Sequence, residues 1–110
     1  MAYAITMTTC ADKEDAEALA RSIVAKRLAG CVQVVKIRSY YEWEGEPRRD
    51  KERLLLVKGS KEKLAELKAH ILAEHKYGLP EIVSVDIADG HEPYLRWLSG
   101  EGGSLSANGN

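Results

Sequence analysis

The hydrophobic period of the chain alternates between two and 3.6 residues, and that alternation limits the fold more than any single motif does. Ala2 to Cys10 has period two, with Tyr3, Ile5 and Met7 on one face and Ala4, Thr6 and Thr8 on the other. Asp12 follows as a helix N-cap, with Glu14 and Asp15 in the first turn, where the helix dipole favours acids. Ala16, Leu19, Ala20, Ile23, Val24 and Leu28 then recur at helical spacing, and Gly30 supplies the stop. Cys31 to Trp43 returns to period two. Glu44 to Pro47 reads as a turn around Gly45, and Lys51 to Gly59 as a third strand. The unbroken apolar run in that strand, Leu54 to Val57, asks for cover on both faces. Ser60 can cap a second helix, with Leu64, Leu67, Ile71, Leu72 and His75 on one stripe and Gly78 and Pro80 ending it. Ile82 to Ala88 is a fourth strand. Pro93 suits the first turn of a short helix carrying Tyr94, Leu95, Trp97 and Leu98.

The order β-α-β-β-α-β predicts an α+β, ferredoxin-like fold: four antiparallel strands, both main helices on one face, and a short C-terminal helix. Residues 1–98 form this domain, and 99–110 form a Gly/Ser/Asn-rich tail expected to be flexible. Such a fold leaves one sheet face open. An open apolar face and a long hairpin are liabilities for a single copy, so the pattern calls for an oligomer. The second strand carries a related oddity. Val32 and Val34 are even-numbered, whereas Val35, Ile37, Tyr41 and Trp43 are odd, so one face cannot hold both sets. Either a bulge near Val35 and Lys36 swaps the faces, or the strand passes from one packing environment to another.

The same topology places Cys10 at the end of strand one and Cys31 at the start of strand two. Those strands run in the same direction, so the thiols lie at opposite ends of the sheet and stay unbridged. Free thiols suit a reducing compartment. No stretch is long and apolar enough to span a membrane, and the first residues read as a strand rather than a signal peptide, which makes the cytoplasm the expected location.

Lys and Arg total 16 and Asp and Glu total 17. That near-neutral balance argues against broad capture of nucleic acid. Lys36, Arg38, Arg48, Arg49, Lys51 and Arg53 form a local basic patch, but Glu42, Glu44, Glu46, Asp50 and Glu52 are interleaved with it, and the whole reads as a solvated hairpin. The third strand, RLLLVKG, offers no aromatic on which RNA bases could stack. Ser39, Ser60 and Ser84 have no local His–Asp arrangement and there is no glycine-rich phosphate loop, so no enzyme class is indicated. One sheet edge gathers chemistry: the ends of strand one and of the second helix and the start of strand four bring His75, Cys10 and Glu81 together. Thiol, imidazole and carboxylate suit copper, zinc or another divalent ion. The alternatives are a helix-terminal histidine beside a buried thiol, and an ion pair between Glu81 and Lys58. Tyr94 and Trp97 read as a packed lid over the end of the sheet.

The segments LAGCV (28–32), SYYEWEG (39–45), LLLVKG (54–59), HKYGLPEI (75–82) and YLRWL (94–98) follow one another on this layout, and over residues 3–98 the chain resembles the CutA, or divalent-cation tolerance, family. That resemblance implies a homotrimer in which the long hairpin reaches onto neighbouring subunits. Tyr41 and Trp43 match the family's aromatic positions, so they, with Val35 and Ile37, are expected at the trimer interface. The parity change near Val35 then marks the passage from intrasubunit to intersubunit packing. The resemblance also implies a non-enzymatic role in divalent metal tolerance, with copper as candidate ligand and no required cofactor. The chain departs from the family pattern at Glu46, Lys76 and Gly78, where lysine, proline and glutamate are usual, and at Thr8, where some members carry a cysteine proposed as a copper ligand. The rival reading is a trimeric signalling module that binds a small effector in clefts between subunits.

Overall fold

The computed structural model describes residues 2–100, and the elements follow in the expected order. They are β1 (Tyr3–Cys10), α1 (Lys13–Ala25), β2 (Cys31–Trp43), β3 (Glu46–Ser60), a 3-10 turn (Lys61–Lys63) leading into α2 (Leu64–Glu74), β4 (Val83–Asp86) and α3 (Glu92–Leu98). The sheet order is β2-β3-β1-β4, and every neighbouring pair is antiparallel. Of the expected tail, 99–110, only Ser99 and Gly100 fall within the described residues, where they close the C-terminus of α3.

Register decides what each face buries. Thr8 pairs with Leu55 and Thr6 with Val57, and these four are almost wholly enclosed. On that side Leu55 and Val57 join Cys10, Ala16, Leu19 and Ile23 of β1 and α1 and Leu67 and Ile71 of α2 in one core. The more apolar face of β1 is therefore not the one the helices cover. Ile5 and Met7 lie on the opposite face, opposite Lys58 and Leu56 of β3 and Val85 and Val83 of β4. Val83 and Val85 are 48% and 45% exposed there. Tyr3 and Thr9 are the exceptions on that face of β1: Tyr3 is buried with Leu95 and Leu98 under α3, and Thr9 is buried at the other end of the strand.

The helix ends correct the sequence reading in detail. The Asp12 carboxylate accepts from the Asp15 amide at 2.9 Å, as an N-cap should. The stop of α1 is Arg27, not Gly30: Arg27 has φ 58°, its N–H bonds to Val24 O, and Leu28 N–H bonds to Ile23 O. That is a Schellman closure, with buried Leu28 as its apolar seal. Gly30 is needed for another reason. A Cβ there would lie 2.3 Å from Leu98 O, so glycine lets α3 lie against the start of β2. Ser60 accepts from Glu62 N–H and so caps the 3-10 turn rather than α2 itself. α2 ends at Glu74, before Gly78, because His75 turns extended; Leu72 faces outward, off the expected stripe.

β2 has no bulge. Its partners on β3 run one to one from Cys31↔Lys58 to Trp43↔Glu46. The parity change is therefore a change of surroundings: Val32 and Val34 share the helix side, Val35, Ile37, Tyr41 and Trp43 the other. β1 pairs with β3 only from Arg53 onward, so residues 46–52 and their β2 partners project as a two-stranded ribbon. The long axis of the molecule, 49 Å against 27 and 23 Å, reflects that projection. The turn is confined to Glu44 and Gly45, at φ 52° and 80°, the type I′ geometry that matches strand twist. Pro47 belongs to β3, where the outer side has no neighbouring strand to need its missing N–H.

Candidate functional site

The α2–β4 segment crosses the base of the hairpin, and Tyr77 stands between two cavities there. The smaller, about 160 Å³, is lined by Cys10, Asp15, Leu19, Glu74, His75 and Tyr77. The larger is an open groove of about 820 Å³ between the hairpin and the α2–β4 segment, lined by Tyr41, Trp43, Asp50, Glu52, Tyr77 and Glu81 among others.

His75 sits where the helix has ended, so its ring is free to reach β1. Nδ1 accepts the Tyr77 amide at 3.1 Å, which leaves the ring proton on Nε2, and Nε2 donates to the Thr9 carbonyl at 2.7 Å. Both nitrogens of a neutral imidazole are thereby occupied. The Tyr77 hydroxyl continues the chain and donates to Glu52 Oε2 at 2.7 Å. Thr9, His75, Tyr77 and Glu52 thus tie the end of β1, the end of α2 and the root of the hairpin together. Burial pushes the Tyr77 hydroxyl well above its usual range, and the Glu52 carboxylate adds to the effect. Further out, Tyr41 donates to Asp50, which raises the Tyr41 hydroxyl too. The groove therefore holds two tyrosine–carboxylate pairs: Tyr41–Asp50 along the hairpin wall, and Tyr77–Glu52 joining the α2–β4 segment to the hairpin.

The Cys10 thiol is pushed up to about 11, by burial first and then by the carboxylates of Asp15, Asp12 and Glu52. A thiol so held stays protonated at neutral pH, whereas metals take the thiolate. Cys10 and His75 do share the smaller cavity, as their positions predict, but Glu81 lies in the groove on the other side of Tyr77. Among the described residues no three His, Cys, Asp or Glu side chains are grouped to hold a metal ion. In this arrangement the three residues do not fit a metal: the imidazole is occupied, the thiol protonated and the carboxylate apart. The ion pair expected between Glu81 and Lys58 is also absent among the described residues. Lys58 pairs with Cys31 and Ile5 in the register, several residues along β3 from the end that Glu81 approaches.

The four expected interface residues share one face of β2. Tyr41 and Val35 are each 43% exposed and Trp43 47% in the single chain. Tyr94 and Trp97 stack at 5.7 Å and pack beside Tyr3 and Cys31, as a lid over the end of the sheet. Cys10 and Cys31 are free. No helix of the described residues is long and apolar enough to cross a membrane. Sequence reading missed the roles of Tyr77 and Glu52. Tyr77 is the one aromatic between α2 and β4, two residues after His75, and that isolation was the available signal.

A family model described as CutA1 divalent ion tolerance protein matches residues 4–101. A divalent-cation tolerance protein CutA of Thermus thermophilus is 41% identical over 95 residues, covering 86% of this chain and 92% of that one. A chloroplastic protein CutA of Arabidopsis thaliana is 40% identical over the same share of this chain, which spans only 52% of that relative. Among solved structures, CutA1 from Oryza sativa superposes with a TM-score of 0.88 at 36% identity, covering 92% of this chain and 94% of that one. The Thermus thermophilus protein gives 0.86 at 39% identity, covering 92% and 99%.

Proposed function

Because the chain belongs to the CutA1 divalent ion tolerance protein family, we propose that it serves tolerance to divalent metal ions as a homotrimer, by binding rather than by catalysis. The observation that carries the trimer is surface left uncovered in one copy. The open sheet face presents Val35, Val83 and Val85, and the projecting ribbon presents Tyr41 and Trp43. A two-stranded ribbon is at best marginally stable alone, so its apolar side needs a partner. A large aromatic ring with one polar handle suits such an interface. The non-catalytic reading draws on the state of the nucleophiles. Cys10 is held protonated, and Ser22 donates its proton to Leu19 O rather than to the neighbouring His70. Two free cysteines suit a reducing compartment such as the cytoplasm.

Copper is the ion this reading names, since it accepts both imidazole and thiolate. Binding at Cys10 and His75 requires the thiol to lose its proton and His75 to release either the Tyr77 amide or the Thr9 carbonyl, with Glu81 not at hand. Copper titration of wild type and His75→Ala under reducing conditions tests that arm; equal binding by both removes the cavity from consideration. The wider reading is tested in copper-sensitive cells. Wild type should raise the copper concentration that halves growth, and Trp43→Ala should not. Equal protection by both, or none by wild type, counts against it.

A further inference from the structure

The interleaved charges of the hairpin are interleaved only in sequence. Successive residues of a strand point to opposite faces, so an alternating sequence becomes a segregated surface. Lys36 lies opposite Arg53, Arg38 opposite Lys51, and Tyr40 opposite Arg49. Five cations therefore share one face of the ribbon, with Glu42 as that face's only acid, out by the tip. The other face carries Glu46, Asp50 and Glu52 with Arg48, alongside Ile37, Tyr41 and Trp43. Register thus separates the charges that the sequence interleaves, while the ribbon stays solvated as expected, with residues 40–43 and 46–51 all exposed.

Three further observations concern the basic face. Like charges directly opposite one another across a strand pair are destabilising, and here two such pairs are adjacent. None of the five cations takes part in an ion pair among the described residues, where all the bridges lie elsewhere. Lys36, Arg38, Lys51 and Arg53, together with Ile37 and Glu52 from the other face, also border a shallow depression of about 470 Å³, and Tyr40 on the basic face is 72% exposed.

From this we infer that the basic face of the β2–β3 hairpin binds single-stranded nucleic acid. The cations form two rows with a repeat of about 6.7 Å along each strand, a linear array that suits a chain of phosphates rather than one compact anion. An exposed tyrosine flanking such an array offers a ring to an unpaired base, the combination of cationic track and stacking platform that holds single strands without sequence preference. A near-zero net charge excludes a wholly basic molecule but not one basic face. The inference does not depend on the assembly proposed above, since the face that would meet a neighbouring subunit is the other one.

The test uses the full chain and a fluorescent oligothymidylate of about twelve nucleotides, read by anisotropy at several salt concentrations. Wild type should bind, with affinity falling steeply as salt rises. In the double variant Lys36→Glu, Arg38→Glu the new acids face Arg53 and Lys51, so binding should weaken at least tenfold. Its log–log salt slope should be shallower by at least about 1.4. Because that variant converts two repulsive cross-strand pairs into attractive ones, its melting temperature should rise, which separates lost binding from lost fold. Tyr40→Ala should weaken binding roughly five- to 150-fold, with the salt slope unchanged. The inference is overturned if wild type does not bind, if either variant binds as wild type does, or if duplex DNA or anionic phospholipid vesicles are bound more tightly than the single strand. It is also overturned if the double variant loses oligomeric mass in light scattering, which would assign the cations to a neighbouring copy.

Discussion

A single atom decides the fate of several positions. A Cβ on Gly30 would meet the backbone of Leu98, which cannot swing aside, whereas one on Gly78 would meet nothing within 4 Å. Gly30→Ala should therefore cost about 1–3 kcal/mol in denaturant unfolding while Gly78→Ala leaves the midpoint nearly unchanged. The Thr8 hydroxyl is fully buried with no partner, so Thr8→Val should be neutral or stabilising by up to about 1 kcal/mol in the same assay. Cys10 sets a pH dependence. Its thiol is raised from 9.0 to about 11, so the stability held there is complete below pH 9 and is lost as pH climbs through 11. Brief alkylation of the native protein at pH 8 should accordingly mark Cys31 alone by mass spectrometry, and the denatured protein should take two labels. Marking of Cys10 first would show that the thiol is not held as described.

At the scale of the element, period was legible and termination less so. β1, α1 and β2 follow from spacing alone because burial of one face is what spacing encodes. The helix stops did not follow, because a Schellman closure is set by a positive φ, and here Arg27 adopts it although a glycine, the usual signal, would do so at less cost. The reach of β3 back to Glu46 was hidden by Pro47, which reads as a turn until the outer side of the ribbon is known to be unpaired. His75 and Cys10 were legible as neighbours from topology; Glu81 was not, since Lys76 and Tyr77 stand between the two cavities and no spacing rule reports that. The turn itself offers a test. Glu44 has the positive φ that asparagine tolerates better, so Glu44→Asn should raise the melting temperature by a few degrees. A fall would mean the Glu44 side chain makes a contact that outweighs its backbone strain.

For the molecule as a whole, what matters is the apolar side that one chain leaves bare, where Val35, Tyr41, Trp43, Val83 and Val85 are each at least 43% exposed. Light scattering should give three times the 12.2 kDa chain mass at micromolar concentration. Trp43→Ala should shift the distribution toward smaller species without unfolding the core, in which Trp43 takes no part. A monomer for wild type would refute the assembly. The unbroken pairing of β2 with β3 carries a rule for how such a chain can change in length. Adding one residue to each strand of the ribbon would keep every distal pair but rotate it to the other side, so that distal lysines and arginines would join the open sheet side and the tyrosine–tryptophan side would join the helix side. Adding two to each would restore the original sidedness. Insertions and deletions in this hairpin should therefore survive in even steps per strand, a parity constraint on descent that acts on length and is indifferent to composition.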